Sequence, residues 1–175
     1  DELKTIAAAV NYLSEHGISN LDELDAALSS VSDKAYSIRE GMKTAEERMK
    51  KLQKLIECGK NYLTYKPVQD EYRQIRWKGK QEKFAEAHRA ELTLWNAASR
   101  YLHANLPDVK VLPISEWKQE YADLKAQRDT DYAKLKATRA EVAELQKIRK
   151  CVDIALKAEQ PEQAQTHTKR HELDR

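Results

Sequence analysis

Cysteine, glycine, proline and phenylalanine are all scarce in this chain. Among 175 residues there are two Cys, four Gly, four Pro and one Phe. Two cysteines, Cys58 and Cys151, are too few for a disulfide framework and lack metal-ligand spacing. No run of about 18 apolar residues occurs, so no membrane span is expected, and no signal peptide is visible. A cytoplasmic location is the expectation. Also missing are a glycine-rich phosphate loop, a nucleophile elbow and a CxxC pair, so no enzymatic activity is expected of this chain, and no cofactor. A strong charge imbalance is absent too. The net charge is +2, so nucleic-acid binding would have to come from a local patch. The chain opens "DELKTIAAAV", which has no Met and already looks like mid-protein helix. It is expected to be a fragment of something longer.

What is abundant is Lys, Glu, Ala, Leu, Gln and Arg, with 34% of residues charged. That composition suits long helices with a thin core, or a coiled coil. Residues 1–18 predict a short helix, with Leu3, Ile6, Val10 and Leu13 on one face. Gly17 is its natural stop, beside His16, an ordinary C-terminal cation. Ser19 or Asn20 can cap the next helix. From there Leu21, Leu24, Leu28, Val31, Ala35, Ile38, Met42, Ala45, Met49, Leu52, Ile56, Gly59 and Leu63 alternate steps of three and four. This is a coiled-coil seam, and it predicts a first arm over 19–64. A second series runs through Ile114, Trp117, Tyr121, Leu124, Arg128, Asp131, Leu135, Thr138, Val142, Leu145, Arg149, Val152 and Leu156, predicting a return arm over 114–158.

Two equal seams in one chain predict an all-α fold: a long antiparallel coiled-coil hairpin with the short N-terminal helix packed at its base. The implied register sets Leu21 against Leu156, Val31 against Leu145 and Ile56 against Tyr121. It also sets Gly59 against Trp117, where a missing side chain would accommodate an indole. Met49 against Arg128 and Ala45 against Asp131 are weak layers, where a bend or a solvated gap is expected. The register places Cys58 and Cys151 too far apart to pair. Residues 65–113 form a small helical cap at the tip. Within it Pro67 ends or kinks the first arm, "KGK" (Lys78 to Lys80) interrupts, and Gln81 to Ala104 is one amphipathic helix with His88 as a core histidine. Residues 159–175 lack apolar periodicity and predict a disordered tail. His167 and His171 in that tail stand four apart, but the middle Glu of a zinc-protease helix is missing, so no metal site is expected.

One stretch carries local charge. Between Lys60 and Phe84 seven basic residues face three acidic ones. Tyr65, Tyr72 and Trp77 are interleaved. Cations track phosphates and flat rings stack bases, which is what a single strand needs. Lys66, Arg73, Arg76, Trp77, Lys78, Lys80 and Lys83 are the candidate nucleic-acid contacts. The alternative is that Tyr72, Ile75 and Trp77 only pack the cap, with the lysines snorkelling outward.

The segments "NYLTYKPVQDEYRQIRWKGKQEKFAEAHRAELTLWNAASRYL" and "LPISEWKQEYADLKAQRDTDYAKLKATRAEVAELQKIRKCVDIAL" resemble the C-terminal region of relaxases, the mobilization nucleases of conjugative and mobilizable elements of Gram-positive bacteria. The likeness covers roughly residues 50–156 and includes the "KP" of Lys66-Pro67, the "YR" of Tyr72-Arg73 and "KFAEAH". It implies a parent enzyme that nicks one DNA strand with a tyrosine nucleophile and a histidine-held metal, both in an N-terminal nuclease domain. No matching tyrosine context or histidine triad occurs here, so no catalytic residue carries over. The resemblance implies an accessory helical region that holds single-stranded or hairpin origin DNA, dimerises, or docks on mobilization accessory or secretion-system proteins. A protein-interaction or spacer domain with no nucleic-acid role is the alternative.

Overall fold

Among the described residues, 4–158, the computed structural model contains five helices and no strand. These are α1 (Glu2–Glu15), α2 (Leu21–Gln74), α3 (Lys78–Ala87), α4 (Arg89–Asn105) and α5 (Ile114–Glu172). The fold is all-α, a hairpin in which the long α2 packs against α5. The expected disordered tail, 159–175, lies outside the described residues. Two compact units divide the chain: Asp1–Gly41 with Asp131–Arg175, and Met42–Thr130. Both long helices contribute to each unit.

In the first unit, the break between α1 and α2 is built from local hydrogen bonds. Gly17 takes the left-handed conformation, φ 64°. Its N–H donates to the Ser14 carbonyl (3.2 Å), and the Ile18 N–H donates to the Leu13 carbonyl (2.8 Å). This satisfies the carbonyls that α1 leaves free, a turn glycine makes without strain. Of the two expected caps, Asn20 takes the role: its Oδ1 accepts from the Glu23 N–H at 2.9 Å. Ser19 sits one residue outside, where the Glu23 carboxylate accepts from its N–H (2.7 Å) and its hydroxyl (2.8 Å).

The core of this unit is Ala9, Leu24, Leu145 and Ile148, surrounded by Tyr12, Leu13, Ile18, Leu21, Leu28, Val31 and Val152. Val31 and Leu145 thus share a cluster, as the register expects. Two expectations fail. The buried face of α1 runs through Ala9, Tyr12 and Leu13, while Ile6 and Val10 are exposed. Small Ala9 lets α1 approach closely, and Tyr12 buries more surface than either aliphatic. On α5, Ile148 is buried although it lies outside the heptad series, and Leu156, expected opposite Leu21, is exposed. Helix α1 brings α5 a second apolar neighbour, so the buried stripe widens beyond a two-helix seam. Arg149, in the series, instead ion-pairs with Asp25 (2.6 Å) and Asp153.

The second unit has a core of Leu52, Leu55, Cys58, Ala98, Leu102, Val109 and Trp117. Helix α2 presents two faces here. Leu52, Ile56 and Gly59 belong to the seam with α5. A Cβ built on Gly59 would lie 3.1 Å from Ile114 Cδ1 and 3.3 Å from Trp117 Cζ3, so the expected glycine–indole layer is formed. Leu55, Cys58 and Tyr62 make a second stripe against α4. Tyr62 stacks on Trp95 at 5.4 Å between centroids, and Tyr72 lies 6.5 Å from Phe84. One number rises as the other falls, so α3 and α4 run back antiparallel along α2. Helix α4 of the cap therefore packs beside both α2 and α5. At the weak Met49–Arg128 layer an open cavity of about 200 Å³ is lined also by Glu46, Gln53 and Tyr121, the expected gap.

Helix α2 does not end at Pro67 but continues to Gln74. Proline costs the bond its N–H would have given to the Leu63 carbonyl. Burial of Gln69 and half-burial of Tyr72 beyond it hold the helix together. The break at "KGK" also moves: Lys78 to Lys80 form the first turn of α3, and the chain turns at residues 75–77. The single helix expected over Gln81 to Ala104 is divided at His88, φ −113° and ψ 27°. Loop 106–113 buries Val109 under the bundle, and α5 starts at Ile114, where the Trp117 N–H donates to the Pro113 carbonyl (3.0 Å).

Candidate nucleic-acid interface

The turn between α2 and α3 is fixed at both ends. The Gln81 side-chain amide donates to the Tyr72 carbonyl (3.2 Å), satisfying one orphan acceptor at the end of α2. Trp77 is extended, φ −92° and ψ 113°, and caps α3 with its backbone only. Its carbonyl accepts from Lys80 (3.0 Å) and Gln81 (2.9 Å). The Lys78 and Gly79 N–H groups thus open α3 without a side-chain cap, and no acidic residue stands in the first turn.

The structure divides the seven candidates. Arg76, Trp77, Lys78, Lys80 and Lys83 gather at this turn and the first two turns of α3, all exposed. Trp77 is 75% exposed, whereas Trp95 and Trp117 are buried. The Lys80 ammonium sits 5.9 Å from the Trp77 ring centroid. Lys80 and Lys83, three residues apart, share a face. No ion pair joins Arg76, Lys78, Lys80 or Lys83 to a described residue. Lys66 and Arg73 are engaged differently. Lys66 is bonded to Asp70 at 2.7 Å, and this hydrogen bond raises its pKa above the ordinary lysine range. It also lies eight residues before the end of α2, about 12 Å along the axis. The Arg73 guanidinium lies over the Trp95 ring, 5.4 Å from its centroid, and so ties α2 to α4. Among the aromatics, Tyr65, Tyr72 and Ile75 beside them are half-buried packing residues.

Elsewhere, His88, His16 and Cys58 are engaged in packing. His88 Nδ1 lies 3.2 Å from Glu91 Oε2, and its ring 4.2 Å from Phe84, consistent with a packed histidine. His16 stacks on Tyr12 at 3.9 Å. Cys58 is buried, which pushes its thiol pKa up, and both cysteines are free. An open cavity of about 560 Å³ borders Thr93, Asn96, Ala97, Arg100 and Tyr101 on α4, residues the sequence did not single out. Those side chains include no acid–base pair. Among the described residues no three His, Cys, Asp or Glu side chains could hold one metal ion. His167 and His171 lie outside the described residues. No described helix is long and apolar enough to cross a membrane. Comparison with protein-family models, with curated proteins and with solved structures finds no match to this chain.

Proposed function

We propose that this chain is a non-catalytic helical accessory region of a relaxase, and that it contacts single-stranded origin DNA through the α2–α3 turn. The observation that carries the DNA contact is the exposed Trp77 ring among four cations that pair with no described acid. A protein that buries two of its tryptophans and leaves the third three-quarters open has a surface feature in need of an occupant. A base stacked on such a ring contributes about 1–3 kcal/mol. Arg76, Lys78, Lys80 and Lys83 then take the flanking phosphates. Lys66, paired with Asp70, and Arg73, over the Trp95 ring, are engaged within the chain instead. The relaxase context rests on the sequence resemblance, and the DNA contact on the residues of the turn.

Fluorescence anisotropy with a labelled single-stranded oligonucleotide tests the contact. Four phosphate contacts predict a slope of log K against log salt of about −3. Substituting K78E, K80E and K83E together removes binding. W77A weakens it by about 10-fold to 100-fold, the equivalent of one lost stack. The proposal fails if no complex forms at low salt, or if the triple variant binds as tightly as the parent chain.

A further inference from the structure

We propose that a groove between α2 and α5 in the first unit docks an acidic amphipathic helix of a partner protein. Nearer the base of this unit, α1 lies across the two long helices and closes a three-helix core. Further along the same pair, Ala35, Tyr36 and Arg39 of α2 face Leu135, Arg139 and Val142 of α5 across an open groove of about 270 Å³. No third helix covers it among the described residues. Its floor is apolar: Leu135 is buried, and Ala35 and Val142 are half-buried. Tyr36 stands on its rim, 65% exposed. The floor has the character of the seam that α1 covers below, so an α-helix with an apolar stripe is the occupant that completes it.

Charge selects among helices. Arg39 and Arg139 rise from opposite walls, both exposed, and no ion pair joins either to a described residue. The nearby acid Asp131 is held by Lys134 at 3.7 Å. A helix seated between the arginines meets a cation on each side. Carboxylates flanking its apolar stripe pair with both, whereas lysines there are repelled. A second copy of this groove is disfavoured for the same reason, because it would set arginine against arginine. The inference is independent of the α2–α3 turn.

Two synthetic helical peptides with one leucine stripe at i, i+3, i+7 and i+10, flanked by Glu in one and Lys in the other, provide the probe. Anisotropy against the full chain should show the Glu peptide binding about tenfold or more tighter. R39E with R139E should reverse that preference. A35R, which fills the floor, should abolish binding of the Glu peptide. K78E with K80E and K83E should leave it unchanged. The proposal is overturned if neither peptide binds, if both bind equally, or if the double arginine variant keeps its preference. It is equally overturned if light scattering shows a dimer that A35R dissociates, or if an oligonucleotide displaces the peptide from the wild-type chain but not when R39 and R139 are reversed.

Discussion

Replacing glycine by alanine at two places in α2 separates helix propensity from close packing. Gly41 and Gly59 both lie inside this helix, where glycine costs roughly 1 kcal/mol relative to alanine. A Cβ at Gly41 meets nothing within 4 Å, so G41A should raise stability by nearly that amount. At Gly59 the same atom would sit 3.1 Å and 3.2 Å from two carbons of Ile114 and 3.3 Å from Trp117. Each contact must open by a few tenths of an ångström. Ile114 is the first residue of α5 and half-buried, so it can yield; Trp117 is buried in the core and yields less. Overpacking of this kind costs about 1–3 kcal/mol, which offsets the propensity gain, so G59A should be neutral to destabilising by about 1–2 kcal/mol. G59L, with three further carbons and nowhere to place them, should lose about 3 kcal/mol. Urea unfolding followed by circular dichroism at the helical band gives all three midpoints. Equal stabilisation by G41A and G59A, with G59L tolerated, would refute the close approach of α2 to Trp117.

The same helix and its cap yield two further expected outcomes. P67A should stabilise the chain by up to about 3 kcal/mol in the same urea assay, because an exposed mid-helix proline is removed and the Leu63 carbonyl regains a donor. Glu23 has its pKa lowered by hydrogen bonds from the Ser19 backbone and hydroxyl. A depressed carboxyl adds stability that is present above the ordinary carboxylate pKa and is lost as pH falls through the depressed value. The thermal midpoint of E23Q should therefore converge with that of the parent chain in acid and fall below it at neutral pH; parallel pH profiles would show that the Ser19–Glu23 bonds contribute nothing.

The heptad series revealed the hairpin because a two-helix seam leaves a period that sequence preserves. It did not show which residues of the long helices would pack on the third helix of each unit. Leu55, Cys58 and Tyr62 recur at steps of three and four just as Leu52, Ile56 and Gly59 do. A single-seam pattern counts only one of the two stripes. The omission of Ile148 has the same cause, since its cluster includes Ala9 of α1 as well as Leu24 of α2. Pro67 misled in the opposite sense. A local rule about backbone geometry predicted an ending or a kink, but α2 runs on to Gln74, with α4 packed on Tyr62 before the proline and on Arg73 beyond it. Tertiary contacts on both sides of one missing hydrogen bond outweigh its loss.

The candidate site was legible as composition and illegible as geometry. Charge counting could not distinguish Lys66, paired with Asp70, from Lys80, which stands over an open indole. Nor could it foresee that the aromatics of one stretch would be sorted by the turn itself. Residues before the break, Tyr65 and Tyr72, lie on the helix face that meets the returning chain. Trp77 lies within the break, in extended backbone, where no helix periodicity carries its side chain inward. The direction of the chain at residues 75–77 therefore makes the difference between a packing aromatic and a presented one. A substitution that extended α2 through Trp77 would rotate that ring onto the helical surface and separate it from Lys80, weakening oligonucleotide binding without removing a single charge.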